Sequence, residues 1–133
     1  MIVGIGCDVV NIQRIERALA RFGQRFIDRV FAPDERLSGR DGHDDPGACA
    51  YRSKYYARRF AAKEACAKAM GLGIGTLAWR EMVVRNNANG APALSLMGNA
   101  RARLEVLGGQ AVHLSLSDDP PVAMAVVVIA GEG

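Results

Sequence analysis

A long helix is the sequence feature that most constrains how this chain can fold. The segment YYARRFAAKEACAKAMG lies in a predicted helix that runs from about Cys49 to Met70 and ends at Gly71. At about 100° per residue, one face of this helix is apolar and carries Ala57, Phe60, Ala61 and Ala65. Glu64 and Lys68 fall in the middle of that face, four residues apart. Burying a carboxylate and an ammonium group is costly unless they are paired or bind a ligand. The two side chains therefore form either a structural salt bridge or part of a functional site.

Shorter predicted elements surround this helix. Ile2 to Cys7 is an apolar run typical of a buried strand, and Asn11 can cap a helix that reaches about Phe22. Asn89-Gly90 is a hairpin signal, and residues 38–48 have the glycine content of a loop. Later segments read as strand, strand, helix, strand and strand, at Met82 to Arg85, Ala93 to Leu96, Ala100 to Leu107, Ala111 to Leu116 and Val122 to Ala130. We predict one α+β domain over 1–133, with a small mixed or mostly antiparallel sheet packed on the long helix.

Composition excludes several classes of protein. The apolar fraction of 50% and charged fraction of 23% are those of a globular chain. The three cysteines lack a CxxC spacing, which indicates free thiols in a reducing compartment. No signal peptide is recognisable, and the longest apolar run, at 122–130, is far shorter than the ~20 residues of a membrane helix. We expect a cytoplasmic protein that does not insert into a membrane.

A second carboxylate adds to the case for a site. Asp8 directly follows the first apolar run, so we expect it at the carboxyl end of that strand, where ligand sites are common. The alternative is a turn or helix-capping aspartate. Two carboxylates from separate elements suit Mg²⁺, whereas zinc prefers Cys and His, and no Cys/His spacing here matches a zinc site.

Three further features each allow a functional and a plain interpretation. Gly71-Leu72-Gly73-Ile74-Gly75 follows a helix, so it is either a cap with its loop or a backbone nest for phosphate. His113 lies in an alternating strand and is either a half-buried polar residue or part of the site. A basic stripe on the first helix is either a solvated face or a docking surface for an acidic partner, and it comprises Arg14, Arg17 and Arg21 with Arg25 beyond them. Few aromatic residues lie near the stripe, so nucleic-acid binding is poorly supported.

Together these motifs resemble the holo-[acyl-carrier-protein] synthase family of 4'-phosphopantetheinyl transferases. The resemblance spans about Ile2 to Ala130 and is carried by GIGCDVVNIQRIE, RFAAKEACAKAMGLGIG, NGAP and HLSLSDD. It implies transfer of 4'-phosphopantetheine from coenzyme A to a serine of apo acyl carrier protein, in support of fatty acid biosynthesis. The family is known as a trimer with active sites at subunit interfaces, so a homotrimer is implied too.

The resemblance also implies roles for individual residues. Asp8 and Glu64 would be the magnesium ligands, and Lys68 would neutralise phosphate charge. His113 would lie near the pantetheine-pyrophosphate junction. The coenzyme A site would comprise Arg59 and Lys63 near the phosphates, with Gly71, Gly73, Ile74, Asn89, Gly90 and Pro92 shaping the nucleotide pocket.

Some alternatives stay open at the level of sequence. The serine proton could pass to Glu64 through a water or to His113. A broader phosphopantetheinyl transferase for polyketide or peptide carriers usually looks like two fused copies of this unit, and 133 residues fit one copy. A small non-catalytic basic module that binds RNA or an acidic protein would explain the arginine stripe and the net charge of +3, but not Glu64 and Lys68 within an apolar face.

Overall fold

The computed structural model describes residues 1–37, 46–73 and 78–132. Its strands are β1 (Ile2–Asn11), β2 (Met82–Asn86), β3 (Pro92–Leu96), β4 (Gly109–Asp119) and β5 (Val122–Gly131). Its helices are α1 (Ile12–Phe22), α2 (Gln24–Val30), α3 (Pro46–Ala69) and α4 (Gly98–Val106), with short 3-10 turns at Pro33–Glu35 and Trp79–Glu81. The predicted α+β class and the long helix are confirmed. The predicted loop falls mostly on 38–45, outside the described residues, and α3 already begins at Pro46.

Two antiparallel sheets make up the β structure. The larger has the strand order β1-β5-β4, and the smaller is the β2-β3 hairpin. In the larger sheet Asp8 lies opposite Ala125, and Ala125 lies opposite Leu116. Since successive side chains alternate between faces, this register places Asp8 on the face that α3 covers.

β1 packs directly on the backbone of α3 because two of its residues lack side chains. A Cβ atom built at Gly4 would collide with the carbonyl oxygen of Ala69, and one at Gly6 with that of Ala65. The sequence offers glycine at both positions, so strand and helix approach more closely than any larger residue permits. Asp8, two residues beyond Gly6 on the same face, is thereby held against α3.

Strand β1 is longer than predicted. It continues through Asp8 to Asn11, so Asp8 lies inside the strand and not at its carboxyl end. The expectation was wrong because a polar residue in an apolar run suggests a boundary, whereas here the alternation of buried Gly6, Asp8 and Val10 continues across it. Asn11 caps α1 as predicted: its side-chain oxygen accepts a hydrogen bond of 2.9 Å from the amide of Gln13.

Helix α3 is buried on almost all sides over its second half. Between residues 56 and 70 only Arg58, Glu64 and Lys68 are not buried. The prediction that Glu64 and Lys68 lie in the middle of the apolar face is therefore wrong. Both residues lie on the side of the helix that opens to solvent. None of the helices, over their described residues, is long and apolar enough to cross a membrane.

Candidate active site

Asp8, Glu64 and Lys68 come together where β1 lies against α3. Asp8 is 7% exposed, and its Oδ1 atom accepts a hydrogen bond of 2.9 Å from the Lys68 Nζ atom. The same ammonium group donates to the backbone carbonyl of Cys7 at 3.1 Å. Lys68 therefore forms an ion pair with Asp8 of β1. The predicted alternative, a salt bridge between Glu64 and Lys68 within α3, does not describe this ion pair.

The electrostatics of this cluster are those of two carboxylates held close to each other. Burial and then the neighbouring charge of Asp8 raise the pKa of Glu64, while the positive charges of Arg14 and Lys68 oppose that rise. The hydrogen bond to Asp8, followed by its charge, raises the pKa of Lys68. Two carboxylates that are partly shielded from water and raise each other's cost of ionisation are stabilised by a bound cation.

One oxygen of Asp8 lacks a partner. The Oδ2 atom is buried and accepts no hydrogen bond, which is costly for a carboxylate. An orphaned carboxylate oxygen beside a second carboxylate fits Mg²⁺, which prefers oxygen ligands and commonly binds through one or two carboxylates with waters and substrate phosphates. Over the described ranges, no group of three or more His, Cys, Asp or Glu side chains converges.

Lys63 lies elsewhere. It is fully buried, and its Nζ atom forms a 2.7 Å ion pair with Glu35, which is also fully buried. The ammonium group also donates to the carbonyl oxygens of Trp79 and Met82. All three of its donors are used inside the protein, and the predicted place of Lys63 near the nucleotide phosphates stays a prediction. Lys63 instead ties α3 to the turn before it and to the start of β2.

Arg59 is buried too, but it keeps unused hydrogen-bonding capacity. Its guanidinium group lies 3.7 Å from the ring centroid of Tyr55, and its Nε atom has no hydrogen-bond partner. Desolvation lowers the pKa of Arg59. Only 5% of the residue is exposed. The role of Arg59 stays a prediction.

The residues predicted to shape a nucleotide pocket belong to two parts of the chain, the end of α3 and the β2-β3 hairpin. Gly71 has a positive φ of 71° and ends α3 as predicted, and Gly73 follows it as an exposed residue. Asn89 and Gly90 form the turn of the β2-β3 hairpin, and Pro92 begins β3. From Met82, beside Lys63, the hairpin runs about 13 Å to its turn at ~3.3 Å per residue. Ile74 lies outside the described residues.

His113 is on the opposite face of the larger sheet from Asp8. It is exposed on β4 and pairs across β5 with Val128, whereas Asp8 and Leu116 point toward α3. The sheet therefore separates His113 from the two carboxylates of its own chain. His113 could reach such a carboxylate pair only from another copy of the chain.

The predicted arginine stripe is exposed as expected. Arg14, Arg17, Arg21 and Arg25 all lie on the solvent side of α1 and α2. The sequence analysis missed an aromatic groove of about 260 Å³ beside the stripe, lined by Phe22, Arg25, Phe26 and Arg29. Helical spacing does not reveal it, because Phe22 ends α1 and Phe26 belongs to α2, and Gly23 breaks the helix between them. It also missed Glu35, for which the sequence carries no signal beyond its place in a proline-led turn.

Comparison with known proteins assigns the family. Residues 4–125 match the family model described as the 4'-phosphopantetheinyl transferase superfamily, and the chain belongs to that superfamily. A protein named holo-[acyl-carrier-protein] synthase from Methylobacterium sp. (strain 4-46) is 54% identical over 97% of this chain and 94% of its own length. The predicted family is thereby confirmed.

Solved structures agree with this assignment. Holo-[acyl-carrier-protein] synthase from Neisseria meningitidis matches with a TM-score of 0.80 and 39% identity, covering 98% of this chain and 99% of that one. The Helicobacter pylori enzyme, solved in complex with coenzyme A, matches with a TM-score of 0.76 and 32% identity over 95% and 99%. The full-length match gives no support to the alternative of a non-catalytic basic module.

Proposed function

We propose that this chain, as one transferase domain over 1–133, moves the 4'-phosphopantetheine arm of coenzyme A onto a serine of acyl carrier protein, with Asp8 and Glu64 as magnesium ligands. The observation that carries the metal assignment is the buried, unpartnered Oδ2 atom of Asp8 beside Glu64. A cytoplasmic location and a role in fatty acid biosynthesis belong to the same proposal. The named relatives and the coenzyme A complex of the H. pylori enzyme support the choice of substrates.

The reaction divides between positioning and electrostatics. The serine Oγ atom forms a bond to the β-phosphorus of coenzyme A while the bond from that phosphorus to the bridging oxygen breaks, and adenosine 3',5'-bisphosphate leaves. When bound, Mg²⁺ supplies positive charge to the pyrophosphate oxygens. Lys68, held by Asp8 and more than half exposed at its side chain, can place its ammonium group on the departing phosphate. Phosphoryl transfer needs little covalent work from the protein, so these placed charges account for most of the catalysis.

The serine proton passes, in this proposal, to a water held by Glu64. A carboxylate oxygen of Glu64 can accept a hydrogen bond from that water and so hold it where the serine hydroxyl gives up its proton. His113 is the second candidate, and it can act only from a neighbouring copy because the sheet separates it from Glu64 of its own chain. Glu64→Gln and His113→Ala variants, followed as kcat against pH, distinguish the two bases. A general base must be deprotonated, so its pKa sets the acidic limb of the profile; loss of that limb in His113→Ala, with the limb kept in the residual activity of Glu64→Gln, would transfer the role to His113.

The metal assignment is tested by removing the ligands. Asp8→Ala and Glu64→Ala should each lose most of the transfer activity and respond weakly to added Mg²⁺. Glu105→Ala, an exposed carboxylate on α4, is the matched control and should retain it. Transfer is read by mass spectrometry of an apo carrier protein incubated with coenzyme A and Mg²⁺, with circular dichroism to verify folding. Near wild-type turnover at low Mg²⁺ in either ligand variant contradicts the assignment.

We further propose that a second copy of the chain covers the outer face of the larger sheet, giving a homotrimer. That face carries Ile5 and Val9, which are 66% and 57% exposed, together with Met124 and His113. A sheet strand as apolar as β5 is normally covered on both faces, and α3 covers one. Such a contact would carry His113, and the hairpin turn at Asn89, toward the carboxylates of a neighbour. Light scattering should give three times the monomer mass. A stable, active monomer would refute both the homotrimer and the contribution of a neighbouring copy to the site.

Carrier docking is proposed on the arginine stripe and the adjoining aromatic groove. Exposed charges steer association more than chemistry, and the groove gives an apolar contact for a helix of the acidic carrier. Arg21→Glu with Arg25→Glu should raise the KM for the carrier and leave the KM for coenzyme A unchanged, and added salt should have a similar effect. Arg101→Glu on α4 is the matched control. If neither constant moves, the stripe is only a solvated face.

A further inference from the structure

An aromatic and two charged side chains follow one another along a single side of α3. Tyr55, Arg59 and Lys63 are four residues apart, so they are neighbours on the helix surface. Lys63 has a counter-charge in Glu35, whereas the ion pairs found in the described part of the chain do not include Arg59. The Nε atom of Arg59 has no hydrogen-bond partner either. Burying an unpaired guanidinium group is costly, so an anionic ligand would stabilise Arg59, which is 5% exposed.

The ring of Tyr55 supports this arginine in the folded chain. The guanidinium carbon of Arg59 lies 3.7 Å from the centroid of the Tyr55 ring. An aromatic face attracts a cation that stacks on it, but it does not use the N–H groups at the edge of the planar guanidinium. Those groups match two oxygens of a phosphate. The stack therefore fixes the plane of the arginine and leaves its edge to a ligand.

Tyr55 is itself held from outside α3. Its hydroxyl group donates a 2.6 Å hydrogen bond to the backbone carbonyl of Glu35. The carboxylate of Glu35 is fully buried and paired with Lys63. It also accepts hydrogen bonds from the backbone amides of Ala32 and Val84. The turn that receives the hydroxyl is thus firmly anchored, and the Tyr55 ring has one defined position.

Arg59 lies on another side of α3 from the two carboxylates of the candidate active site. Five residues separate it from Glu64, which amounts to a rotation of about 140° and a rise of about 7.5 Å. Within one chain, a phosphate held by Arg59 is therefore a different one from the phosphate that reacts beside Asp8 and Glu64. A contact of this kind is the same before and during the reaction, so it contributes to substrate binding and not to the rate of the chemical step.

We propose that Tyr55 is a positioning residue for coenzyme A: its ring, fixed by the hydrogen bond to the Glu35 carbonyl, holds the Arg59 guanidinium in place for a phosphate of that substrate. The inference rests on the proposed function and adds to it a residue that acts through Arg59 without touching the substrate. An arginine that is already ordered loses less side-chain freedom when its ligand binds. Tyr55 therefore increases the affinity for coenzyme A.

The experiment separates the ring from its hydroxyl group. Tyr55→Leu removes the aromatic face, Tyr55→Phe removes the hydroxyl alone, and Tyr51→Leu, at an exposed tyrosine one turn earlier, is the matched control. Calorimetric titration with coenzyme A and Mg²⁺ should show about tenfold weaker binding to Tyr55→Leu, a smaller loss for Tyr55→Phe and no change for Tyr51→Leu. In the transfer assay the KM for coenzyme A should rise in the same order, while kcat and the KM for the carrier stay near wild type. Unchanged coenzyme A binding in Tyr55→Leu contradicts the inference.

A double-mutant cycle tests whether Tyr55 acts through Arg59. Arg59→Gln should weaken coenzyme A binding, and Tyr55→Leu added to that variant should weaken it little further, because the ring then has no guanidinium to hold. A general disturbance of the fold would lower binding by the same factor in both backgrounds, and such additivity overturns the inference. Circular dichroism verifies folding, and Tyr55→Phe, which keeps the ring, supplies the same cycle if Tyr55→Leu does not fold.

Failure of the inference is distinguishable from failure of the proposed function. If Arg59→Gln binds coenzyme A as the wild-type protein does, the inference is wrong while the transferase assignment stands. If the wild-type protein transfers nothing to apo carrier protein, the proposed function fails first, independently of any Tyr55 variant.

Discussion

Replacing Lys63 with methionine tests how the buried ion pair supports the site. Methionine is an apolar residue with a flexible side chain that can fill the space, but it leaves Glu35 fully buried without its counter-charge. Removing one partner of a buried pair typically costs about 3–5 kcal/mol. The two backbone carbonyls that accept from Lys63, those of Trp79 and Met82, also lose their donor. Glu35 still accepts from two backbone amides, at 2.9 Å each, which keeps the expected loss near that range.

The size of this effect can be measured against a surface pair. Arg101→Met removes the exposed i,i+4 partner of Glu105 and should cost no more than about 0.5 kcal/mol. Urea unfolding at one fixed protein concentration, followed by circular dichroism, gives both free energies. Since small proteins are stable by only about 5–15 kcal/mol, Lys63→Met should shift the midpoint strongly while the slope stays constant. A loss of about 1 kcal/mol or less for Lys63→Met would show that Glu35 finds water or another partner, and would refute the reasoning.

Three further perturbations follow from the same geometry. Gly6→Ala places a methyl group against the carbonyl of Ala65, so it should destabilise by about 1–3 kcal/mol and reduce transfer as well, which urea unfolding and the carrier assay measure together. Asn11→Ala removes the cap of α1 and should cost about 1 kcal/mol in the same unfolding measurement. Because burial and Asp8 raise the pKa of Glu64 above its ordinary 4.5, the metal-free protein should bind Mg²⁺ more weakly as pH falls from neutral toward that raised pKa, with protons released on binding. Calorimetry in buffers of different ionisation enthalpy checks this, and pH-independent binding with no proton release contradicts it.

Local sequence rules gave most of the elements correctly. The Asn11 cap, the Gly71 helix end and the Asn89-Gly90 turn each depend on chemistry within a few residues, and the structure contains all three. The end of β1 was misplaced because its buried polar residue is stabilised by Lys68, 60 positions away. A contact at that separation leaves no mark in the local pattern.

The sequence indicated which types of residue carry the site, but it did not indicate which residues contact one another. Lys63 and Glu64 are consecutive in the sequence and point to different sides of α3. The residues that each side chain contacts depend on which elements pack around the helix. The turn at Pro33–Glu35 and strand β2 enclose the helix on the Lys63 side, and the opposite side stays open. Periodicity in one helix cannot supply this, because it shows that a face is covered without showing which element covers it.

The two glycines of β1 contribute to the site as much as the carboxylates do. Asp8 and Glu64 belong to elements joined by a long stretch of chain, so their approach depends on how closely β1 and α3 pack. Gly4 and Gly6 set that distance, because at both positions the helix backbone occupies the place of a Cβ atom. A bulkier residue at Gly6 would move the strand outward and separate the two carboxylates, even with every chemically active side chain intact. The spacing GIG-x-D therefore works as one unit, in which the glycines fix the depth of the strand and the aspartate two residues on is held against α3.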